Sequence, residues 1–184
     1  MRIFLVRHGQ TWFNRQKRLQ GVCDSPLTEL GIRQAKKLQE YFQMNNISFD
    51  QAYSSTQERA SDTLELLTDM PYTRLKGLKE RSYGHWEGRS SRLFPLPWLK
   101  VSPAVETRKH AADRVEKTLL EITSNAKKDD TILVVGHGDS LHCFISQKVN
   151  PKFTHFKNCS TVELSYDGSS FTYKGYTWPA ENLR

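Results

Sequence analysis

Two unbroken apolar runs, Ile3-Phe4-Leu5-Val6 near the start of the chain and Thr131 to Val135 near its end, constrain the fold most. Strands without polar alternation are covered on both faces, as in parallel sheets flanked by helices. Each run stops in the same way, at Arg7-His8-Gly9 and at Gly136-His137-Gly138. Parallel strands end on a common edge, and ligands of open α/β sheets bind just beyond that edge. The pattern therefore predicts an α/β fold in which His8 and His137 meet. A histidine alone is more often a hydrogen-bonded structural residue. Two in the same strand-then-glycine setting shift the reading toward chemistry.

The intervening sequence alternates accordingly. A polar, basic loop spans Gln10 to Pro26. Thr28 is placed as an N-cap before Leu30, Ile32, Ala35, Leu38, Tyr41 and Phe42, which repeat at helical spacing. Phe49 to Ser55 reads as a strand, Gln57 to Thr68 as a helix stopped by Met70-Pro71, and Leu75 to Leu78 as a short extended piece. The segment around Leu93-Phe94-Pro95-Leu96-Pro97-Trp98-Leu99 is apolar but broken by proline, so it reads as an irregular lid, about residues 89–107. Val105 to Ala126 and Leu141 to Val149 read as helices. Asp167-Gly168 marks a hairpin between Thr161 to Tyr166 and Phe171 to Tyr176.

At 184 residues the chain is long enough for one domain with a core of its own, expected over residues 1–184. Neither a signal peptide nor a membrane span is read from it. Cys23, Cys143 and Cys159 form no metal or disulfide pattern, so a cytoplasmic setting is expected. The net charge of +7 points to an anionic partner. The basic residues are dispersed and lack the aromatic interleaving of ribonucleoprotein motifs, which ranks small anions above nucleic acid.

Two further segments carry chemistry. Ser54-Ser55-Thr56-Gln57-Glu58-Arg59-Ala60 puts Arg59 in the first turn of a helix just past a strand, where backbone amides and a guanidinium make an anion site. Read alone, Arg59 fits an exposed helix arginine better. Glu80 and Glu87, in Lys79-Glu80-Arg81-Ser82-Tyr83-Gly84-His85-Trp86-Glu87-Gly88, are candidate general acids, with a loop brace as the other role for Glu87.

Taken in order, these motifs resemble the histidine phosphatase superfamily, in its phosphoglycerate mutase-like branch. The resemblance rests on Arg7-His8-Gly9-Gln10-Thr11 with Asn14, and on Gly21 with Asp24-Ser25-Pro26-Leu27-Thr28-Glu29-Leu30-Gly31. It continues through Ser54-Ser55 to Arg59-Ala60 with Thr63, Glu80 with Gly84 to Gly88, and Val135-Gly136-His137-Gly138. It implies a three-layer sandwich with a mostly parallel central sheet. It also implies metal-independent hydrolysis of phosphomonoesters, with no cofactor, through a phosphohistidine on His8. Arg7, Arg59 and His137 would then neutralise the phosphoryl oxygens, and Glu80 would be the acid and base. Asn14, Gln20, Gly21, Arg81, Tyr83 and Gly138 are the implied substrate-binding positions. Another branch carries an aspartate directly after the second histidine as its acid. Here Gly138 holds that place and Asp139 follows, which favours Glu80.

The hydrolase reading has two rivals. A phosphoglycerate mutase must shield its phosphohistidine from water, for which the short segment here is poorly suited. A silent phospho-ligand module would not need the full set of His8, Arg7, Arg59, His137 and Glu80. Phe94, Trp98 and Leu99 are candidates either for an apolar substrate rim or for core packing. The natural substrate and the oligomeric state stay open at this level.

Overall fold

The computed structural model describes residues 1–93 and 104–183, so the lid candidates Phe94, Trp98 and Leu99 lie outside the described residues. Six strands form one sheet in the order β3-β2-β4-β1-β5-β6. These are β1 (Arg2–Arg7), β2 (Gln51–Ser55), β3 (Thr73–Leu75), β4 (Thr131–Gly136), β5 (Thr161–Tyr166) and β6 (Phe171–Thr177). β1 to β4 run parallel, and the β5–β6 hairpin adds antiparallel to the free side of β1. The sheet is thus mixed and mostly parallel.

Residue alternation sorts the apolar runs between two cores. Ile3, Leu5, Ile132 and Val134 pack with Val115, Leu119 and Ile122 of α4 (Arg108–Ser124) and with Leu141 and Phe144 of α5 (Gly138–Phe144). Phe4, Val6, Leu133 and Val135 pack on the opposite face, against Ala35, Leu38 and Phe42 of α2 (Glu29–Met44) and Ala60 and Leu64 of α3 (Glu58–Glu65). A single turn, α1 (Trp12–Arg15), precedes them. The result is a helix–sheet–helix sandwich centred on β1 and β4.

Helix ends differ from the periodicity for identifiable reasons. α4 starts at Arg108 rather than Val105 because the Thr107 hydroxyl accepts the His110 amide, fixing the cap there. α3 ends at Glu65, where the amide of Leu67 tightens onto the Leu64 carbonyl at 2.8 Å. α5 starts at Gly138, three residues before the sequence signal. No side chain of its own segment caps it, and the Glu80 carboxylate accepts the Asp139 and Ser140 amides instead. The chain then leaves α5 through one π-helical turn, Ile145–Val149. Leu75 to Leu78 is strand β3 followed by a 3₁₀ turn at Lys76–Leu78.

The loop after β1 lies flush on the start of α2. A Cβ on Gly9 would stand 2.7 Å from the Gly31 carbonyl oxygen, and one on Gly31 would collide with the Gln10 backbone. Gly31→Ala is therefore expected to lower stability by about 1–3 kcal/mol through overpacking. At about 2–4 °C per kcal/mol for a chain of this size, thermal denaturation should show the loss as a lower Tm. An unchanged Tm would mean that this approach is not tight.

Candidate active site

His8 leaves β1 with its amide on the Gly136 carbonyl at 3.0 Å, which ties it to the end of the neighbouring β4. Its ring is buried, and Nδ1 lies 2.7 Å from the Gly9 carbonyl oxygen. A carbonyl only accepts, so Nδ1 carries the proton and Nε2 keeps its lone pair. Burial, followed by the charges of Arg59 and Arg7, pushes the His8 pKa well below its ordinary 6.5, against the pull of the Gly9 carbonyl. The imidazole is neutral with a bare Nε2.

His137 follows β4 on the same edge, and its ring centroid is 5.2 Å from that of His8. It is fully buried, yet neither ring nitrogen has a partner among the described residues. Burial, then Arg59, His8 and Arg7, hold its pKa well below the ordinary histidine value.

Two guanidinium groups converge on the histidines. Arg59, in the first turn of α3, is buried rather than exposed, so the bland reading of this residue does not hold. Its Nη1 donates to the Cys23 carbonyl at 2.9 Å and to Asp24 Oδ1 at 2.8 Å, and Nη2 donates to the Gly21 carbonyl at 3.0 Å. Arg7 donates through Nη1 to the Phe156 carbonyl at 2.8 Å, and burial lowers its pKa. The Nε atoms of both arginines are buried without partners, as is Nε2 of Gln20. Buried donors are normally satisfied. Unpaired donors on Arg7 and Gln20, which line one cleft with His8, and on Arg59, whose charge acts on His8, fit a site whose anionic ligand supplies the acceptors.

Two carboxylates stand at the N-terminus of α5 in different settings. Glu80 is buried; its Oε1 accepts the Arg81 and Ser140 amides at 2.8 Å each, and Oε2 accepts the Asp139 amide at 3.1 Å. Burial, then the neighbouring Asp139 charge, raises its pKa from 4.5, opposed by those amides. Asp139 Oδ2 accepts from Arg81 Nη1 and from the Tyr83 hydroxyl, both at 2.8 Å. Burial works against the Asp139 anion, but Arg81 and Tyr83 outweigh it and its pKa falls below 3.8. Environments that push two carboxyl pKa values apart separate acid from anion. Here Glu80 is the carboxyl group held toward its protonated form and Asp139 the one held as the anion.

The cleft in front of these groups has a volume of about 510 Å³. Arg7, His8, Asn14, Gln20, Gly21, Glu80, Tyr83 and Gly138 lie on its wall, while Arg59 and His137 are buried and Arg81 is turned to Asp139. A Cβ on Gly138 would come within 3.0 Å of Arg7 Nε, so this glycine leaves room for the guanidinium. Asn14 shares a polar chain with Asn158 and Gln20: Asn158 Nδ2 donates to Asn14 Oδ1 at 3.2 Å and to the His8 carbonyl at 3.0 Å. Glu87 is a brace, accepting the Cys23 and Tyr83 amides at 3.1 and 3.0 Å. Sequence patterning missed Asn158, which sits in a loop without periodicity. It also missed Gln57, whose side chain accepts the Glu80 amide and donates to the Gly21 carbonyl. Among the described residues, no cluster of three or more His, Cys, Asp or Glu is placed to hold a metal ion, and no helix is long and apolar enough to cross a membrane.

Comparison with known proteins gives the family and the fold. The chain is 31% identical over 152 residues to the uncharacterized phosphatase PhoE of Bacillus subtilis strain 168, covering 79% of this chain and 76% of that protein. It is 29% identical over 171 residues to a 2,3-bisphosphoglycerate-dependent phosphoglycerate mutase of a Bradyrhizobium strain, with 82% and 83% covered. Among solved structures, Bacillus stearothermophilus YhfR superposes with a TM-score of 0.81 at 25% identity, covering 92% of this chain and 93% of the other. A mycobacterial glucosyl-3-phosphoglycerate phosphatase superposes at 0.82 with 24% identity and 94% and 96% covered, which is likeness of fold. The profile of the histidine phosphatase superfamily, branch 1, matches residues 3–179, and the chain belongs to that superfamily.

Proposed function

We propose that the chain is a single catalytic domain that hydrolyses small phosphomonoesters through a phosphohistidine on His8. The observation that carries the reading is a neutral His8 whose Nε2 keeps its lone pair, in one cleft with the unpaired donors of Arg7 and Gln20 and with a carboxyl group held toward its protonated form. Nε2 attacks phosphorus in line with the ester oxygen, and Glu80 gives that oxygen its proton as the P–O bond breaks. The proton stays on Nδ1, donated to the Gly9 carbonyl, so the imidazole of the intermediate is cationic and a good leaving group. The Glu80 carboxylate then takes a proton from water, whose oxygen attacks phosphorus. The P–N bond breaks, releasing phosphate and restoring His8.

Arg7, Arg59 and His137 are assigned to the phosphoryl oxygens, where preorganised donors in a dry site act most strongly. Asn14, Gln20 and the Gly21 and Gly138 backbones edge the same space. Arg81 and Tyr83 act one step back, by keeping Asp139 ionised. The exposed rim residues Lys17, Arg18, Thr154 and His155 favour hydrolysis over a mutase, which would have to keep water out. Three unpaired cysteines support a cytoplasmic setting.

A phosphomonoester panel including both phosphoglycerates tests the reading. Phosphate release without isomerisation is expected; isomerisation stimulated by the bisphosphorylated compound would replace it with the mutase.

The pH profile follows from the productive state, which needs His8 neutral and Glu80 protonated. His8 is lowered from 6.5 and Glu80 is raised from 4.5, so both shifts widen the window in which that state exists. Activity is expected to fall on an acid limb below pH 6.5 as His8 gains a proton, and on an alkaline limb above pH 4.5 as Glu80 ionises. Removing the Asp139 charge takes away the neighbouring anion that raises Glu80 and leaves Arg59 to lower it. Asp139→Asn should therefore move the alkaline limb to lower pH on the same substrate, and an unmoved limb would detach Glu80 from it.

A further inference from the structure

We propose that the alcohol half of the substrate carries an aromatic ring system, as in a nucleoside monophosphate, seated on a basic aromatic face beside the catalytic cleft. This deepens the hydrolase reading and rests on it for the phosphoryl end.

The β-topology puts the face where a substrate would reach it. β6 runs parallel to β1 across the intervening β5: Val6 pairs with Thr161, and Thr161 with Thr177. Trp178, the next residue, thus falls on the same sheet edge as His8. One residue links the two. Trp178 Nε1 donates to the Asn158 carbonyl at 3.2 Å, and Asn158 Nδ2 donates to the His8 carbonyl at 3.0 Å.

A second cleft of about 330 Å³ opens there, walled by Phe153, Tyr173, Tyr176 and Trp178 with Lys152 and Lys157. It shares Thr154 and His155 with the catalytic cleft, so the two adjoin at that segment. Its rings are held in place before any ligand arrives. Phe153 contacts Tyr176 and Tyr173 at centroid distances of 5.7 and 6.3 Å, and the Lys157 ammonium lies 5.7 Å from the Trp178 ring. Tyr176 is nevertheless 36% exposed, the most exposed of the large apolar or aromatic residues of the hairpin.

Rings with cations beside them are what a planar, electron-rich base and its anionic neighbours recognise. In a nucleoside monophosphate the ribose separates phosphorus from the base, which suits two adjoining clefts. A phosphoglycerate or a simple sugar phosphate would fill the first and leave the second empty.

The test compares kcat/KM for adenosine 5′-monophosphate with that for glycerol 3-phosphate, which presents the same phosphoryl group without a ring. The nucleotide is expected to be preferred at least tenfold. Tyr176→Ala and, independently, Lys157→Ala should each cut the nucleotide rate severalfold to tenfold, the scale of one lost stack or cation, leaving glycerol 3-phosphate within twofold. Calorimetric titration of both compounds into His8→Ala separates this inference from the catalytic one. Tighter nucleotide binding that Tyr176→Ala abolishes supports the face even if neither ester is hydrolysed. Equal binding of the two compounds, or equal losses on both substrates, overturns it. Self-association that Tyr176→Ala disrupts without changing selectivity would assign the face to a second copy instead, and also overturns it.

Discussion

His8→Ala is expected to lower kcat for phosphomonoester hydrolysis by roughly 10⁴-fold or more, the scale seen when a covalent nucleophile is removed from an otherwise intact site. The remaining groups are expected still to bind an anion: Arg7 and Arg59 keep their backbone and carboxylate partners, and none of those contacts runs through the His8 ring. The fold should persist, because His8 is held in the sheet by its main chain and not by its side chain. Circular dichroism and KM near the wild-type value would show that only the nucleophile has gone. Substantial turnover in this variant would mean that water attacks the ester directly.

Glu80→Gln is expected to show the second largest effect, roughly 10²–10⁴-fold on kcat for an ester with a poor leaving group. The amide keeps one oxygen for the α5 amides but has no proton to give. With a phenolic leaving group that departs without protonation, the phosphorylation step should be largely spared. Hydrolysis of the phosphohistidine, which needs Glu80 as base, then becomes limiting. A burst of phenol release followed by a slow steady state is the predicted trace. Equal losses on both esters, with no burst, would move the proton donor elsewhere. Asp139 is a neighbouring carboxylate, but the hydrogen bonds it accepts from Arg81 and Tyr83 hold it as the anion.

These expectations depend on side chains drawn together from four separate elements. Much of that gathering was legible in the sequence, because His8 and His137 lie just past strands and Arg59 lies in the first turn of a helix; Glu80, in the loop after the Lys76–Leu78 turn, had only its motif. His8 and His137 follow the two continuously apolar runs, and burial of those runs on both faces is what makes the strands parallel neighbours. Arg59 was the ambiguous case. Its first-turn position was legible, but its burial depends on the loop at 21–24 folding over it, and no local pattern encodes that. The hairpin was local as well, since the Asp167 carboxylate accepts the Ser169 and Ser170 amides and Gly168 takes a positive φ.

What stayed hidden is non-local. The start of α5 is capped by Glu80, 60 residues before Ser140, so no N-cap residue announces it. The division of labour between Glu80 and Asp139 depends on the Arg81 and Tyr83 side chains turning toward Asp139, which spacing does not specify. Asn158 and Gln57 brace the site from loop and helix-cap positions whose neighbours belong to other segments.

The central claim is that phosphorus becomes bonded to a nitrogen of His8. Rapid quench of the enzyme with a phosphomonoester, followed by peptide mass spectrometry under alkaline conditions, measures this directly. The account predicts an acid-labile, base-stable phosphoryl group on His8, formed at the burst rate, enriched in Glu80→Gln and absent from His8→Ala. Turnover without any labelled histidine, or with the label on His137 instead, would contradict it.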